Sequence, residues 1–272
     1  MDALEARSPD WGHYAPPPQG HFLLAAIKLG FGRGKLRKTI LRRWRARFGD
    51  IVDVRVRGVN YRLGLSDNVT DTKIFAASKV YDGKELAALA RATNGETFVD
   101  IGANTGYYTL STARAAGCRA IAIEPNPVTA ARLAFNVAAN PDLEKQIDIV
   151  TEGIGERGAF ELHFADSLGG ASLNKSLFGE GVKSVTIQTR PLLDVLQSLG
   201  VTELAALKID IEGAEDRVLV PFFKAAPKAL WPKTLVIEDG YSHLWSLDVE
   251  ASLTRCGYRL SARNGGNGIW EL

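Results

Sequence analysis

Short apolar runs and stretches of helical spacing alternate along most of the chain. Residues 98–101, 119–123, 146–151, 205–211 and 234–238 are brief, rich in Val, Ile and Leu, and bounded by turn or polar residues. Between and after them, residues 107–116, 126–139 and 247–256 carry apolar side chains at helical spacing, as does 84–93 ahead of the first run. Strand and helix in alternation predict an α/β fold built on a mostly parallel sheet. Two further short strands, 258–262 and 268–272, are joined by Asn264, Gly265, Gly266 and Asn267, so the chain ends in a hairpin and its last strand is antiparallel. Upstream, residues 51–65 alternate at period two on both sides of Gly58 and predict a second hairpin, with Val52, Val54 and Val56 facing inward.

The pattern divides the chain. Residues 1–20, with Pro16, Pro17 and Pro18, read as a flexible arm, residues 21–81 as an accessory helix and hairpin, and residues 82–272 as the main domain. Residues 158–164 and 183–190 alternate as strands, and the Gly/Ser-rich stretch 166–181 between them reads as a substrate loop. Residues 67–81 precede the main domain and offer Asn68, Lys73 and Tyr81 to a substrate lying over the sheet edge.

Composition narrows the classes. With 272 residues, 46% of them hydrophobic, the chain can bury a full α/β core. Cys118 and Cys256 belong to no Cys/His cluster, which argues against a disulfide framework or structural zinc and for a reducing, cytoplasmic setting. No apolar run approaches the ~18 residues of a membrane span, and Asp2 and Glu5 are unlike the start of a secretion signal. Net charge is only +2, yet residues 21–49 hold nine Lys and Arg and no Asp or Glu. There Leu36, Ile40, Leu41, Trp44 and Phe48 share a helix face opposite the arginines. This suits packing on the core with a solvated basic face, with an anionic membrane surface as the peripheral partner to consider. Nucleic acid is not favoured, because stacking aromatics are not interleaved with the charges.

The candidate chemistry sits at strand ends. Phe98 to Gly106, FVDIGANTG, is an apolar strand running into a glycine turn that opens a helix, the arrangement of a ligand site at the carboxyl edge of a parallel sheet. A dinucleotide turn, GxGxxG, needs Gly or Ala where this chain has Tyr107. The alternative is the GxGxG turn of methyltransferases that bind S-adenosylmethionine, with Asn104 in the central glycine's place. The second strand ends in Glu124, Pro125 and Asn126, putting a carboxylate where ribose hydroxyls would donate to it. The third ends in Glu152 and Gly153. Residues 205–211 alternate so that Lys208, Asp210 and Glu212 share a face, and Glu215 falls in the first turn of the following helix. The fifth strand ends in Glu238 and Asp239, followed by Tyr241 and His243.

Taken in order, FVDIGANTGYYT, IAIEPNP, LKIDIEGAE and LVIE resemble the FkbM family of methyltransferases over residues 82–238. The resemblance implies a class I methyltransferase fold, a Rossmann-like seven-stranded sheet whose last strand is antiparallel. It implies S-adenosyl-L-methionine as cofactor and O-methylation of a hydroxyl on a saccharide, a cell-surface glycan or glycolipid, or a secondary metabolite. On that footing Asp100, Gly102, Asn104, Gly106 and Tyr107 are expected around the methionine end, Glu124 and Asn126 at the ribose, and Glu152 and Gly153 near adenine. Asp210 is expected nearest the transferred methyl, as cofactor contact and general base, with Glu212 second and His243 third. A divalent metal held by Asp210, Glu212, Glu238 and Asp239 is an alternative that is not favoured. Three other classes compete: an NAD-dependent oxidoreductase, a nucleic-acid methyltransferase, and a catalytically inactive binding module of the same fold. Tyr107 and the terminal hairpin count against the first. Asp210, Ile211, Glu212 and Gly213, where amino-group methylases of DNA carry a Pro-Pro-aromatic motif, count against the second.

Overall fold

The computed structural model of the protein describes residues 9–27, 34–77, 81–164, 170–172, 177 and 182–272. In chain order its elements begin with α1 (Gly20–Ala26), α2 (Gly34–Phe48), the hairpin β1 (Ile51–Val56) and β2 (Val59–Gly64), α3 (Val69–Ala77) and α4 (Gly83–Thr93). The main domain continues with β3 (Phe98–Ile101), α5 (Tyr107–Ala116), β4 (Ala120–Ile123), α6 (Pro127–Ala138), α7 (Pro141–Glu144) and β5 (Ile147–Val150). Then come β6 (Gly153–Ile154), β7 (Gly158–Phe164), β8 (Ala171–Ser172), β9 (Lys183–Arg190), α8 (Leu192–Ser198), β10 (Ala206–Ile209) and α9 (Glu215–Ala225). The chain closes with β11 (Thr234–Glu238), α10 (Val249–Arg255), β12 (Arg259–Asn264) and β13 (Asn267–Glu271).

Every residue of β3, β4 and β10 is buried, as a parallel sheet covered on both faces requires. The seven-stranded sheet has the order β12-β13-β11-β10-β3-β4-β5, and β13 runs antiparallel to both its neighbours, as expected from the terminal hairpin. Strand alternation sorts the side chains into two cores. Phe98, Ala120, Ala206 and Val236 face α4, α5 and the N-terminal unit, whereas Val99, Ile121, Leu207 and Leu235 face α8, α9 and α10. Asp100 and Lys208 lie on the first face and are direct cross-strand partners in the β3–β10 ladder, so two charges enter the core as a pair. At the start of α6 Asn126 accepts from Val128 N–H and Pro127 occupies the first turn, a strong N-terminal signal.

Of the flexible arm expected over residues 1–20, residues 1–8 lie outside the described residues. Residues 9–18 are held along the hairpin: Asp53 accepts from the N–H groups of Gly12 and Tyr14, and the Arg62 guanidinium lies between the rings of Tyr14 and Phe135 while donating to the Pro9 and Asp10 carbonyls. A buried Asp–Arg pair supplies the charge-assisted bonds that a polyproline segment cannot make with itself. The hairpin in turn is fastened to α6 and the turn after it by Asn60, Asn136 and Asn140. Val52 and Val56 are buried as expected and Val54 partly so. A second, four-stranded sheet, β6-β9-β7-β8, stands beside the carboxyl edge of the main one. The expected substrate loop lies largely outside the described residues; of it, Ala171 and Ser172 pair with β7. Among the described residues no helix is long and apolar enough to cross a membrane.

Candidate functional site

The carboxyl ends of β3, β4 and β10 open into a cleft of about 960 Å³ that reaches out to solvent. Its floor is the turn after β3. Gly102 takes φ +78, and a Cβ there would lie 1.9 Å from the Asp210 carbonyl oxygen, so only glycine lets this turn meet the end of β10. Asn104 is also left-handed, at φ +51. Its N–H donates to Glu124, whose other oxygen accepts from Asn126 N–H. Burial pushes the Glu124 carboxyl up to about 7, against the pull of those two N–H donors. A carboxylate buried with spare acceptor capacity is one that a hydroxyl-bearing ligand would stabilise.

At the end of β10, Lys208 is 3% exposed and donates to Asp210 at 3.2 Å and to the Gly102 carbonyl at 3.4 Å; its ammonium lies 3.9 Å from Asp100 and over the Tyr108 ring. Burial works against this charge, and the carboxylates of Asp210 and Asp100 outweigh it, holding the ammonium above its ordinary range. Beyond Ile209 the strand stops. Glu212 sits in a turn at φ +55, closed by Glu215, which accepts from the N–H groups of Ile211 and Gly213 and from the Trp245 indole. The strand alternation expected through Glu212 therefore ends early, and backbone geometry turns Glu212 into the cleft. Burial first, then Asp210 and Glu215, push its carboxyl up to about 7.

A second cavity, also open to solvent, adjoins the first: Thr70, Tyr81, Asp210 and Glu212 line both. Lys73, Asp82, Glu238, Tyr241 and Asn267 complete much of its wall. Glu238 is pushed up to about 8 by burial and by Asp210, Glu215 and Glu212. Like-charged carboxyls crowd this cavity.

Of the expected cofactor contacts, Gly102, Asn104, Tyr107, Glu124, Gly153 and Asp210 line the first cleft. Asp100, Gly106, Asn126 and Glu152 do not. Asp100 is fully buried, accepts from Thr109 and lies 3.9 Å from the Lys208 ammonium. Gly106 starts α5 at φ +93, with Leu133 packed where a side chain would go. Asn126 spends its side-chain oxygen on capping α6, and Glu152 is engaged by Arg190. Of the three acid–base candidates, Asp210 and Glu212 are at the junction of the cavities, whereas His243 is exposed and lines neither. Among the described residues no group of three or more His, Cys, Asp or Glu is placed to hold a metal ion. Ile154, Leu162 and Ile187, from the second sheet, form an apolar wall that sequence reading missed. Their strands were legible in part, but nothing in the alternation says that this sheet stands against the cleft.

The profile of the methyltransferase FkbM domain matches residues 100–260, more than half of the chain. The chain belongs to the FkbM methyltransferase family. The strand order of its main sheet is that of class I methyltransferases, the fold for which S-adenosylmethionine is the expected cofactor. Solved structures similar to this methyltransferase include a human methyltransferase 10 domain containing protein, at 13% identity over 86% of this chain and 92% of that one, TM-score 0.47. They also include M. jannaschii TYW2 in complex with AdoMet, at 13% identity over 82% and 86% of the two chains, TM-score 0.40. A third is an O-methyltransferase from Bacillus cereus in complex with S-adenosylhomocysteine, at 14% identity over 70% and 80%, TM-score 0.39. No curated protein sequence gives a significant match. The cleft of this methyltransferase fits such a cofactor on its own features: a buried carboxylate for paired hydroxyls and an apolar wall for a purine.

Proposed function

We propose that this methyltransferase is an O-methyltransferase whose acceptor is a saccharide, free or carried on a glycolipid, held in the second cavity. The observation that carries this reading is the pair of adjoining cavities with Asp210 and Glu212 at their junction. In it, Gly102, Asn104 and Tyr107 border the methionine end of the cofactor, Glu124 accepts from its ribose hydroxyls, and Gly153 with Ile154, Leu162 and Ile187 encloses the base. When bound, S-adenosylmethionine supplies a methyl group already made electrophilic by its sulfonium. The chain's own task is then to orient an acceptor oxygen and take its proton. Asp210, held by Lys208, orients the hydroxyl. Glu212, near 7 and therefore poised at neutral pH, takes the proton as the oxygen is methylated. The polar wall of the second cavity, with Lys73, Asp82, Glu238 and Asn267, suits a polyhydroxyl compound, which donates to several carboxylates at once.

The basic helix supports a membrane-borne acceptor. Ile40 and Trp44 of α2 are buried, while Lys38, Arg42, Arg43 and Arg47 are exposed, and Phe22 and Leu36 of the packed α1–α2 pair are 83% and 54% exposed. Cations beside protruding apolar side chains fit the headgroup region of an anionic bilayer.

Calorimetric titration with S-adenosylhomocysteine and with NAD tests the cofactor side: the homocysteine binds, NAD does not, and Glu124→Ala weakens binding about 100-fold, the loss of two charged hydrogen bonds. Transfer of labelled methyl to saccharides, to a glycolipid in anionic and in neutral vesicles, and to RNA tests the acceptor. Label on the saccharides, and faster on the anionic vesicles, is the expected result. Label on RNA alone would overturn the acceptor reading and leave the cofactor reading standing.

A further inference from the structure

The glycine turn is gripped in part from outside the matched domain. Asn68, 1% exposed, donates from Nδ2 to the Asn104 side-chain oxygen at 2.7 Å while its own Oδ1 accepts from Asp71 N–H and so caps α3. Asp71, fully buried, accepts from the Thr105 hydroxyl at 2.7 Å and from Gly64 N–H at the end of the hairpin. Asn136 closes the set, donating to the Thr105 carbonyl and accepting from Arg62 N–H of β2. Two adjacent turn residues are therefore fixed by side chains from α3 and α6, and both of those are tied to the same hairpin.

This grip answers a local conflict. The central position of a GxGxG turn needs a left-handed backbone that glycine adopts freely, and here it is Asn104, at φ +51. Asparagine tolerates that region better than most residues, still at a cost that surrounding contacts must offset. Its side-chain oxygen takes donors from both Asn68 and Thr105 N–H, and its backbone N–H goes to Glu124. A chain of bonds thus runs from the accessory unit through Asn104 to the carboxylate facing the cleft.

We propose that Asn68 is a positioning residue for the cofactor: it clamps Asn104 in the left-handed conformation that aims Glu124 and opens the turn. The accessory unit is then a working part of the cofactor site. The proposal rests on the reading of the first cleft as the S-adenosylmethionine site.

The test is calorimetric binding of S-adenosylhomocysteine, with thermal unfolding of the same samples. Asn68→Ser keeps a capping oxygen for α3 and removes the donor to Asn104. It is expected to weaken binding about tenfold, the size of one well-placed hydrogen bond, with little change in unfolding midpoint. Asn104→Gly supplies the left-handed backbone without a clamp, so Asn68→Ser added to it is expected to change the affinity less than about twofold. A purely structural Asn68 would instead lower the midpoint and weaken binding equally in both backgrounds, which overturns the proposal, as does wild-type affinity in Asn68→Ser. Should that variant not fold, Asn68→Asp keeps shape and cap while facing Asn104 with an acceptor, and must bind more weakly than wild type. If wild type itself does not bind the homocysteine, the cofactor reading of the cleft fails instead.

Discussion

The two cavities that meet at Asp210 are built in opposite ways. In the first, polar groups are matched before any ligand arrives: each Glu124 oxygen has an N–H, Asn104 is held on three sides, and Lys208 sits between two carboxylates. In the second, Asp82, Asp210, Glu212 and Glu238 face a shared space, with Lys73 as a cation among the described residues of its wall. Matched bonds fix geometry, whereas crowded like charges raise proton affinity and leave a site that responds to what enters it. A single cofactor can be met by the first kind of wall, and an acceptor whose proton must be removed needs the second.

The sharpest way to break the first wall is Gly102→Ala. The added Cβ would lie 1.9 Å from a backbone oxygen at a left-handed φ, so the β3 turn and the Asp210 peptide must separate. A cost of at least about 3 kcal/mol in unfolding free energy is expected, with loss of S-adenosylhomocysteine binding. Gly117→Ala is the control. Gly117 is also left-handed, at φ +62, with nothing within 4 Å of a Cβ, and its replacement is expected to cost about 1 kcal/mol by urea denaturation and to leave binding unchanged.

The second wall is sharpened by pH. Glutamate in the unfolded chain titrates near 4.3, whereas Glu212 and Glu238 keep their protons to about 7 and about 8. Between those values the folded state binds more protons than the unfolded state, so unfolding free energy falls as pH rises from about 5 to 8. Removing one charge with Glu212→Gln should flatten that fall by about 1 kcal/mol after allowing for solvent screening. In methyl transfer the sign reverses, because a base must have lost its proton. The wild-type rate is expected to rise through about pH 7, and Glu212→Gln to lose both that rise and about 100-fold in rate.

Residues of both walls are legible in the sequence, Gly102, Asn104 and Glu124 of the first and Lys73, Tyr81, Glu238 and Tyr241 of the second, but not how the two cavities meet. The Gly102 turn, Glu124 and the ends of β3, β4 and β11 follow from local signals: glycine where φ must be positive, apolar runs that stop at acids, and Asn126-Pro127 before a helix. A strand-end acid looks the same in sequence whether it faces a cleft or, as Glu152 does, meets an arginine thirty-eight residues on. Asp100 shows a related limit: alternation puts it beside Lys208 but does not say that Lys208 lines the cleft while Asp100 is fully buried and does not. Asp71 and the N-terminal arm depend on bonds between segments far apart in the chain, for which no spacing exists to be read.

His243 marks the limit of proximity in sequence as a guide. It follows Glu238 and Asp239 by a few residues, which made it a candidate base, yet the turn after β11 carries it outward. Its ring lies 6.3 Å from that of Tyr241, it is exposed, and it lines neither cavity. In this arrangement its imidazole makes no contact at the Asp210–Glu212 junction, and general base catalysis needs hydrogen-bond contact or one bridging water. His243→Asn is therefore expected to leave methyl transfer within about twofold of wild type across the pH profile, and the rise near 7 intact. Loss of that rise in His243→Asn, with Glu212→Gln retaining it, would move the base from Glu212 to the histidine and require the 242–244 turn to fold inward when the acceptor binds.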